Sequence, residues 1–530
     1  MPLFAAPTLP VLTAADFAPL LPAIILVVGA SLMLMTEVFL KGTSRGYQAP
    51  LAIVFSAVAG WFALENAFSP ARSIMEGFGV MDPFSSAITV TVCLGLILVL
   101  LLTPGFLQAR NAERGEFYAL LLFSASGMSL FALANELIFL FINLEIMSVA
   151  VYALAAFLRR GPRPAEAAFK YFILGSFASA ILLYGIALLF GAGGSTFLSE
   201  LSQTLPVAAE TQPGLVLAGT LLLAGGFAFK VAAVPFHAWT PDVYEGSPTP
   251  VTAFMSAAIK AAAFAGLVRV FVAIAPGVGN ETLILLFSGL ALLTMVGGNL
   301  MALPQRNVKR MLAYSSIAHA GYTLVGVAAL FVSGPGGGEA AFSILGNTPM
   351  LAEGVTAEAA REDALRAILF YLVAYTVTTI GTFVVLAAIE RREEDRRGLA
   401  WDLERFAGLA ERRPGWAIAM TVLLLSLGGI PPTMGFIGKL FIFRAAVNAG
   451  LVGLAIVGVL AAAAGIYYYL RVVVYMYMRP SPEGEPGLPR IPFGTQAALV
   501  LTTLLVVLWG VFPGSLSDWL GQASQLWMGQ

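Results

Sequence analysis

Residues Gly225 to Lys260 read GGFAFKVAAVPFHAWTPDVYEGSPTPVTAFMSAAIK. Two lysines, Lys230 and Lys260, lie in runs that are otherwise apolar, and Pro235 follows the first of them closely. A charged amine at bilayer depth costs from ~2.5 to well over 10 kcal/mol, depending on how far it snorkels. A sequence that accepts this twice within one helical hairpin is using the charge. Pro235 removes a backbone donor and clashes with the preceding turn, so a helix must bend or break there. Backbone freed at membrane depth is tolerated only where protein or water satisfies it. Lysine, broken helix and implied water together point to an ion path rather than a plain anchor.

The remaining composition agrees. Of 530 residues, 59% are hydrophobic and 11% charged, with mean hydropathy +0.87. A soluble chain has about 25% charged residues, so this is an all-α polytopic membrane protein. A net charge of −1 gives no support for nucleic-acid binding. The single Cys93 rules out an intrachain disulfide, a cysteine-ligated iron–sulfur cluster and a cysteine-rich zinc site within this chain. The N-terminus has no basic n-region, so the first apolar run is read as a retained span.

A span needs ~20 mostly apolar residues. Fourteen segments qualify: 17–40, 48–67, 80–103, 115–134, 136–158, 166–191, 214–238, 248–275, 280–301, 308–332, 365–389, 415–447, 451–478 and 495–520. The twelfth reads as a pair of half-helices around Gly428-Gly429-Ile430-Pro431-Pro432. With the N-terminus outside, the inside loops collect nearly all the basic residues, from Lys41 and Arg110 to Arg310, Arg413 and Arg490. The outside loops keep only Arg72, Arg361 and Arg366. That asymmetry obeys the positive-inside rule and predicts both termini outside. Residues 192–213 and 333–364 read as long outside loops, the second opening with Gly334-Pro335-Gly336-Gly337-Gly338. On the inside, Glu390 to Arg397 reads as a solvated charge run, and Trp401 to Phe406 as a short amphipathic helix at the interface.

Seven basic residues fall inside spans: Lys170, Lys230, Lys260, Arg269, Lys439, Arg444 and Arg471. Glu145 lies mid-span in IFLFINLEIMSVAVYAL, where an isolated carboxylate would neutralise itself unless a cation sits close. Lys230 and Lys170 are the candidates for that cation. Lys260 stands too far from either end of its span to snorkel. Lys439 follows the second Gly/Pro break, and a second interrupted segment is the pointer to an inverted-repeat transporter. His237 and His319, the only histidines, are candidate proton relays. Neither has a partner at metal-ligand spacing. For Arg269, Arg444 and Arg471 the reading is snorkelling or lipid contact. The run Tyr467-Tyr468-Tyr469 offers hydroxyls to a hydrated path or simply packs.

Four stretches resemble the antiporter-like membrane subunits of respiratory complex I: AFKVAAVPFHAWTPDVYEGSPTPVTAF (228–254), KRMLAYSSIAHAGY (309–322), EAAFKYFILGSFASAILLYG (166–185) and GGIPPTMGFIGKLFIF (428–443). The similarity covers about Leu20 to Phe512 and is greatest to the subunit N type of bacterial NADH-quinone oxidoreductase. It implies fourteen transmembrane helices with two inverted five-helix repeats: residues 115–275 and 280–478, preceded by residues 1–114 and followed by residues 495–530. Helices 7 and 12 would be discontinuous. It also implies that Glu145 pairs with Lys230, that Lys170 and Lys260 are the helix 6 and helix 8 lysines, and that Lys439 is the helix 12 lysine.

The activity the resemblance implies belongs to a complex in the bacterial cell membrane. NAD, FMN, iron–sulfur clusters and quinone work in other subunits and a peripheral redox arm, with no cofactor or metal in this chain. Their electron transfer drives proton pumping through a mid-membrane Glu/Lys axis here. Rival readings are a subunit of a multi-subunit sodium/proton antiporter, a membrane subunit of a hydrogenase complex, and a scaffold whose charges are inert helix–helix glue.

Overall fold

The computed structural model describes residues 17–40, 45–158, 162–332, 351–352, 354–390, 400–481 and 491–524. The Gly334–Gly338 run and the charge run from Arg391 onward lie outside these residues. Eighteen helices carry the argument. They are α1 (Leu21–Phe39), α2 (Gln48–Asn66), α3 (Pro83–Gln108), α4 (Gly115–Ala132), α5 (Leu137–Ala155), α6 (Pro162–Gly193), α7 (Leu198–Thr211), α8 (Pro213–Val231) and α9 (Thr240–Gly246). Then come α10 (Thr249–Val278), α11 (Asn280–Ala302), α12 (Val308–Ala329), α13 (Ala357–Ile389), α14 (Pro414–Gly428), α15 (Met434–Asn448), α16 (Val452–Met478), α17 (Phe493–Val511) and α18 (Gly514–Gln522).

Among the described residues, twelve helices are long and apolar enough to cross a membrane. The two other expected spans fall short for physical reasons. Helix α12 opens on Lys309 and Arg310 and carries Ser315, Ser316 and His319 inward, so its mean hydropathy is low. The twelfth segment is split into α14 and α15, each of 15 residues. Every residue in the apolar window of α10 is buried, against a third of those in α2 and α17. The helix bearing Lys260 is therefore the axis around which the others pack.

Three expectations are corrected. Residues 192–213 are no open loop: α7 lays Leu198, Leu201, Leu205 and Ala208 against the bundle, apolar residues at helical spacing. Its contact with α10 is close, because a Cβ on Gly277 would stand 2.3 Å from Leu205 Cβ. Residues 401–406 form no amphipathic helix. A 3-10 turn at Leu403–Phe406 and a single helical turn at Leu409–Arg412 tuck Leu403, Phe406 and Leu409 inward instead. Finally, a two-stranded hairpin, β1 (Arg72–Ile74) and β2 (Gly79–Met81), precedes α3 in an otherwise helical chain.

The two interrupted spans are built alike. Helix α8 stops at Val231 and α14 at Gly428, each followed by a left-handed residue, Ala232 (φ 62) and Gly429 (φ 81). Ala233 N–H returns to Ala228 O at 2.8 Å, and Ile430 N–H to Leu425 O at 3.0 Å, the Schellman closure of a helix end. Three residues beyond each left-handed residue stands a proline in a cis peptide, Pro235 and Pro432. The sequence places Lys230 before its proline and Lys439 after its own.

Candidate functional site

Each break frees backbone carbonyls in the bundle, and each finds a donor. At the first, Trp239 Nε1–H donates to Phe229 O at 3.1 Å, and Thr294 Oγ1 accepts from Val234 N–H at 2.9 Å. At the second, the donor is Lys439 itself: its Nζ donates to Leu427 O at 2.8 Å and to Gly428 O at 2.9 Å. Lys439 therefore reaches back across the break to the C-terminus of α14, while Lys230 lies in the last turn of α8. Both lysines sit where the helix dipole is negative. The Lys439 stem fills the space over Gly429, where a Cβ would lie 2.7 Å from its Cδ, so both φ and contact require glycine there.

Lys230, Lys260 and Lys439 are all buried. Lys230 Nζ donates to Ser148 Oγ at 2.7 Å and lies 5.6 Å from the Tyr152 ring centroid. Glu145 is half-buried and accepts from Ser179 Oγ at 2.5 Å. No direct ion pair joins Glu145 to Lys230 among the described residues. Lys230 bonds instead to Ser148, less than one turn along α5 from Glu145, and the carboxylate acts on the ammonium through space. Lys260 Nζ donates to Ser316 O at 2.5 Å, and the five residues before it, Met255–Ile259, form a π-helical turn. Such turns are rare and frequently mark functional sites.

His319 stands between the second and third lysines and feels the charge of both. Its Nδ1 meets Tyr371 OH at 2.7 Å and its Nε2 meets Tyr469 OH at 3.2 Å. Tyr469 OH also bonds Ser315 Oγ, beside the residue whose carbonyl holds Lys260. Beyond it, the ring centroid of Tyr322 is 5.0 Å from Lys439 Nζ. Of the tyrosine run, Tyr468 and Tyr469 face inward and Tyr467 faces out. Ser315, Tyr469, His319 and Tyr371 are thus hydrogen-bonded in one buried run across α12, α13 and α16, with Lys260 beside its first member and Lys439 over the ring of Tyr322.

Other sequence-derived candidates fall elsewhere. Lys170 does not meet Glu145; it pairs with Glu166 and Asp242, each at 2.7 Å, in a half-exposed network with Arg310 and Glu245. His237 is half-buried at the first break, its Nδ1 has no partner, and no lysine touches it. Arg269 neither snorkels nor reaches lipid: its Nη2 grips both oxygens of buried Asp82 at 2.9 and 2.8 Å, pinning the hairpin and α3 to α10. Arg471 donates to Leu303 O and Gln305 O at the end of α11, and Arg444 pairs with Asp363 at the surface. Glu390 is not solvated. Its carboxylate is buried and accepts from Arg110 at 2.7 Å and from Thr249 Oγ1 and Trp401 Nε1 at 2.6 Å each. Reading the sequence missed Ser148, Tyr371, Tyr322 and Glu390. Hydroxyls and ring edges leave no periodic signal.

Comparison with known proteins places the fold in a family. A family model described as NADH:quinone oxidoreductase/Mrp antiporter, TM, matches residues 134–346 and 350–465. NADH-quinone oxidoreductase subunit N of Myxococcus xanthus is 61% identical over 519 residues, covering 98% of this chain and 99% of that one. A chain of respiratory complex I from Thermus thermophilus is 33% identical, with TM-score 0.74 over 94% of this chain and 98% of that one. A chain of the Mrp complex from Dietzia shares the fold at TM-score 0.78 and 21% identity, over 97% of both chains. The chain belongs to the NADH:quinone oxidoreductase/Mrp antiporter transmembrane family, among its NADH-quinone oxidoreductase subunit N members.

Proposed function

We propose that this chain is a proton-translocating subunit of NADH-quinone oxidoreductase, in which electron transfer in partner subunits drives protons along Glu145, Lys230, Lys260 and Lys439. The observation that carries this reading is the hydrogen-bonded run of buried hydroxyl and imidazole groups, Ser315, Tyr469, His319 and Tyr371, with Lys260 held beside one end and His319 under the charge of both Lys260 and Lys439. A lysine beside a carboxylate stays protonated; screened from it in a dry site it releases its proton far more readily. Lys230, bonded to Ser148 three residues from Glu145 on α5, would gain or lose the carboxylate by a small helix shift. Unit charges ~5–7 Å apart at an effective dielectric near 20 interact by about 2–3 kcal/mol. Moving one charge against 100 mV costs ~2.3 kcal/mol. Each step is comparable to the load, and several in series suffice.

On this reading the chain crosses the membrane fourteen times, α4–α10 and α11–α16 are the two inverted repeats, and Lys170 tunes the first bundle from its half-exposed network. The bundle end that carries Arg110, Arg306 and Arg310 faces the bacterial cytoplasm, and both termini lie outside. Other membrane subunits cover the apolar face around Glu145, where Ile142, Val149 and Phe177 are exposed. NAD, FMN, iron–sulfur clusters and quinone belong to the partners. The test is NADH-driven proton uptake in sealed vesicles containing the assembled complex. Lys260→Ala and Glu145→Ala are expected to assemble and to lose pumping, and full pumping in either variant refutes the axis.

A further inference from the structure

We infer that Glu390 is the proton-accepting group at the mouth of the route into Lys260, an assignment that rests on the proton-channel reading above. A cavity of about 580 Å³ opens at the basic-loop end of the bundle, and Arg110, Ser247, Thr249, Lys309, Glu390 and Trp401 line it. Two carboxylates line it, half-buried Glu116 and Glu390, and Glu390, with only 1% of its side chain exposed, is the one bonded to the head of α10. Thr249, which donates to Glu390 Oε2, is the first residue of α10.

From there α10 carries Thr249, Thr252, Ser256 and Lys260 at spacings of three, four and four, the last of them crossing the π-helical turn. All four are buried. Eleven residues at the helical rise span ~16 Å, from the cavity to the mid-bundle lysine. Thr252 Oγ1 donates to Tyr244 O at 2.9 Å and Ser256 Oγ to Ala253 O at 3.0 Å, so both hydroxyl oxygens keep lone pairs for water. Ser247 Oγ, in the cavity, and Thr376 Oγ1, on α13, which packs against the π-helical turn, are buried with no hydrogen-bond partner among the described residues. Buried hydroxyls left this way are ordinarily satisfied by ordered water.

The proton balance is simple. A hydronium ion in the cavity gives its proton to the Glu390 carboxylate and remains as water. The carboxyl passes that proton to a water beside these hydroxyls, and the neutral Lys260 amine takes it up.

The bland competitor is that Glu390 is a structural clip between Arg110 and Trp401. Glu390→Gln removes the proton-binding group and keeps one acceptor oxygen, for Thr249 and Trp401, while its NH2 replaces the oxygen that accepts from Arg110, so the hydroxyl variant below, which leaves that ion pair intact, completes the separation. The measurement is protons taken up per NADH oxidised by the whole complex in sealed vesicles, beside the amount of subunit assembled. Glu390→Gln is expected to assemble normally and to lose the same share of pumping as Lys260→Ala, with no further loss when the two are combined. Thr249→Val together with Ser256→Ala, which leaves the Arg110–Glu390 pair in place, is expected to lower the ratio as well. Full pumping in Glu390→Gln alongside loss in Lys260→Ala places the mouth elsewhere and leaves the axis standing. Full pumping in Lys260→Ala sinks the axis and the mouth together. If Glu390→Gln fails to assemble, the hydroxyl double variant decides: wild-type stoichiometry overturns the assignment.

Discussion

On the proposed reading Lys439 has two duties, and substitution separates them. Its ammonium caps α14 by donating to Leu427 O and Gly428 O. Methionine keeps the bulk of the stem and removes both donors, leaving two buried carbonyls without those partners. Each buried polar group left unsatisfied costs about 1–3 kcal/mol, so Lys439→Met is expected to destabilise the break by ~2–6 kcal/mol. Loss of the cation over Tyr322 adds to this, by ~2 kcal/mol for a desolvated pair. Arginine presents N–H groups to the same carbonyls but does not give up its proton in a protein. Lys439→Arg should therefore assemble and resist heat nearly as well as the wild type, yet fail to pump. The assay is paired: thermal midpoint of the purified complex, and NADH-driven proton uptake in vesicles. A methionine variant as heat-stable as wild type refutes the capping role. An arginine variant that pumps normally refutes the carrier role.

Two further substitutions probe the packing. A Cβ on Gly175 would lie 2.1 Å from the Tyr152 hydroxyl, so Gly175→Ala is expected to push α5 and α6 apart and reduce subunit incorporation. Adding Tyr152→Leu should restore it, and incorporation unchanged in Gly175→Ala would show the contact to be slack. Arg269→Met strips the buried Asp82 carboxylate of its guanidinium partner, a change worth about 3–5 kcal/mol where a buried pair is broken. Arg269→Met with Asp82→Asn should recover most of that in the thermal midpoint, and no recovery would mean that the guanidinium matters for something other than charge.

Much of the architecture is legible in the sequence because lipid imposes length and apolarity on every spanning helix. Both breaks are visible because proline and paired glycines interrupt apolar runs. The buried lysines stand out by their cost alone. What stays hidden depends on partners remote in the chain. Glu390 belongs by composition to a solvated charge run, and only Arg110, 280 residues away, and Trp401 take it inside. Arg269 reads as a snorkelling residue until Asp82, 187 residues away, is brought against it. Lys170 is a natural mate for Glu145 by composition, but a neighbour one helical turn away and Asp242 hold it first. The helix at Leu198–Thr211 escapes notice because it is too polar for a span and carries an internal proline, Pro206.

The wide turn at Met255–Ile259 has a mechanical consequence. It stores one surplus residue within a ladder whose rungs are otherwise in ordinary register. Such slack can migrate along a rod by exchanging one rung for the next, without cutting the rod in two. A migration past Lys260 would swivel its stem about the long axis, turning the amine from one neighbour toward another while both ends of α10 stayed anchored. The central helix thus has slack next to the group that, on the proposed reading, faces two directions in turn.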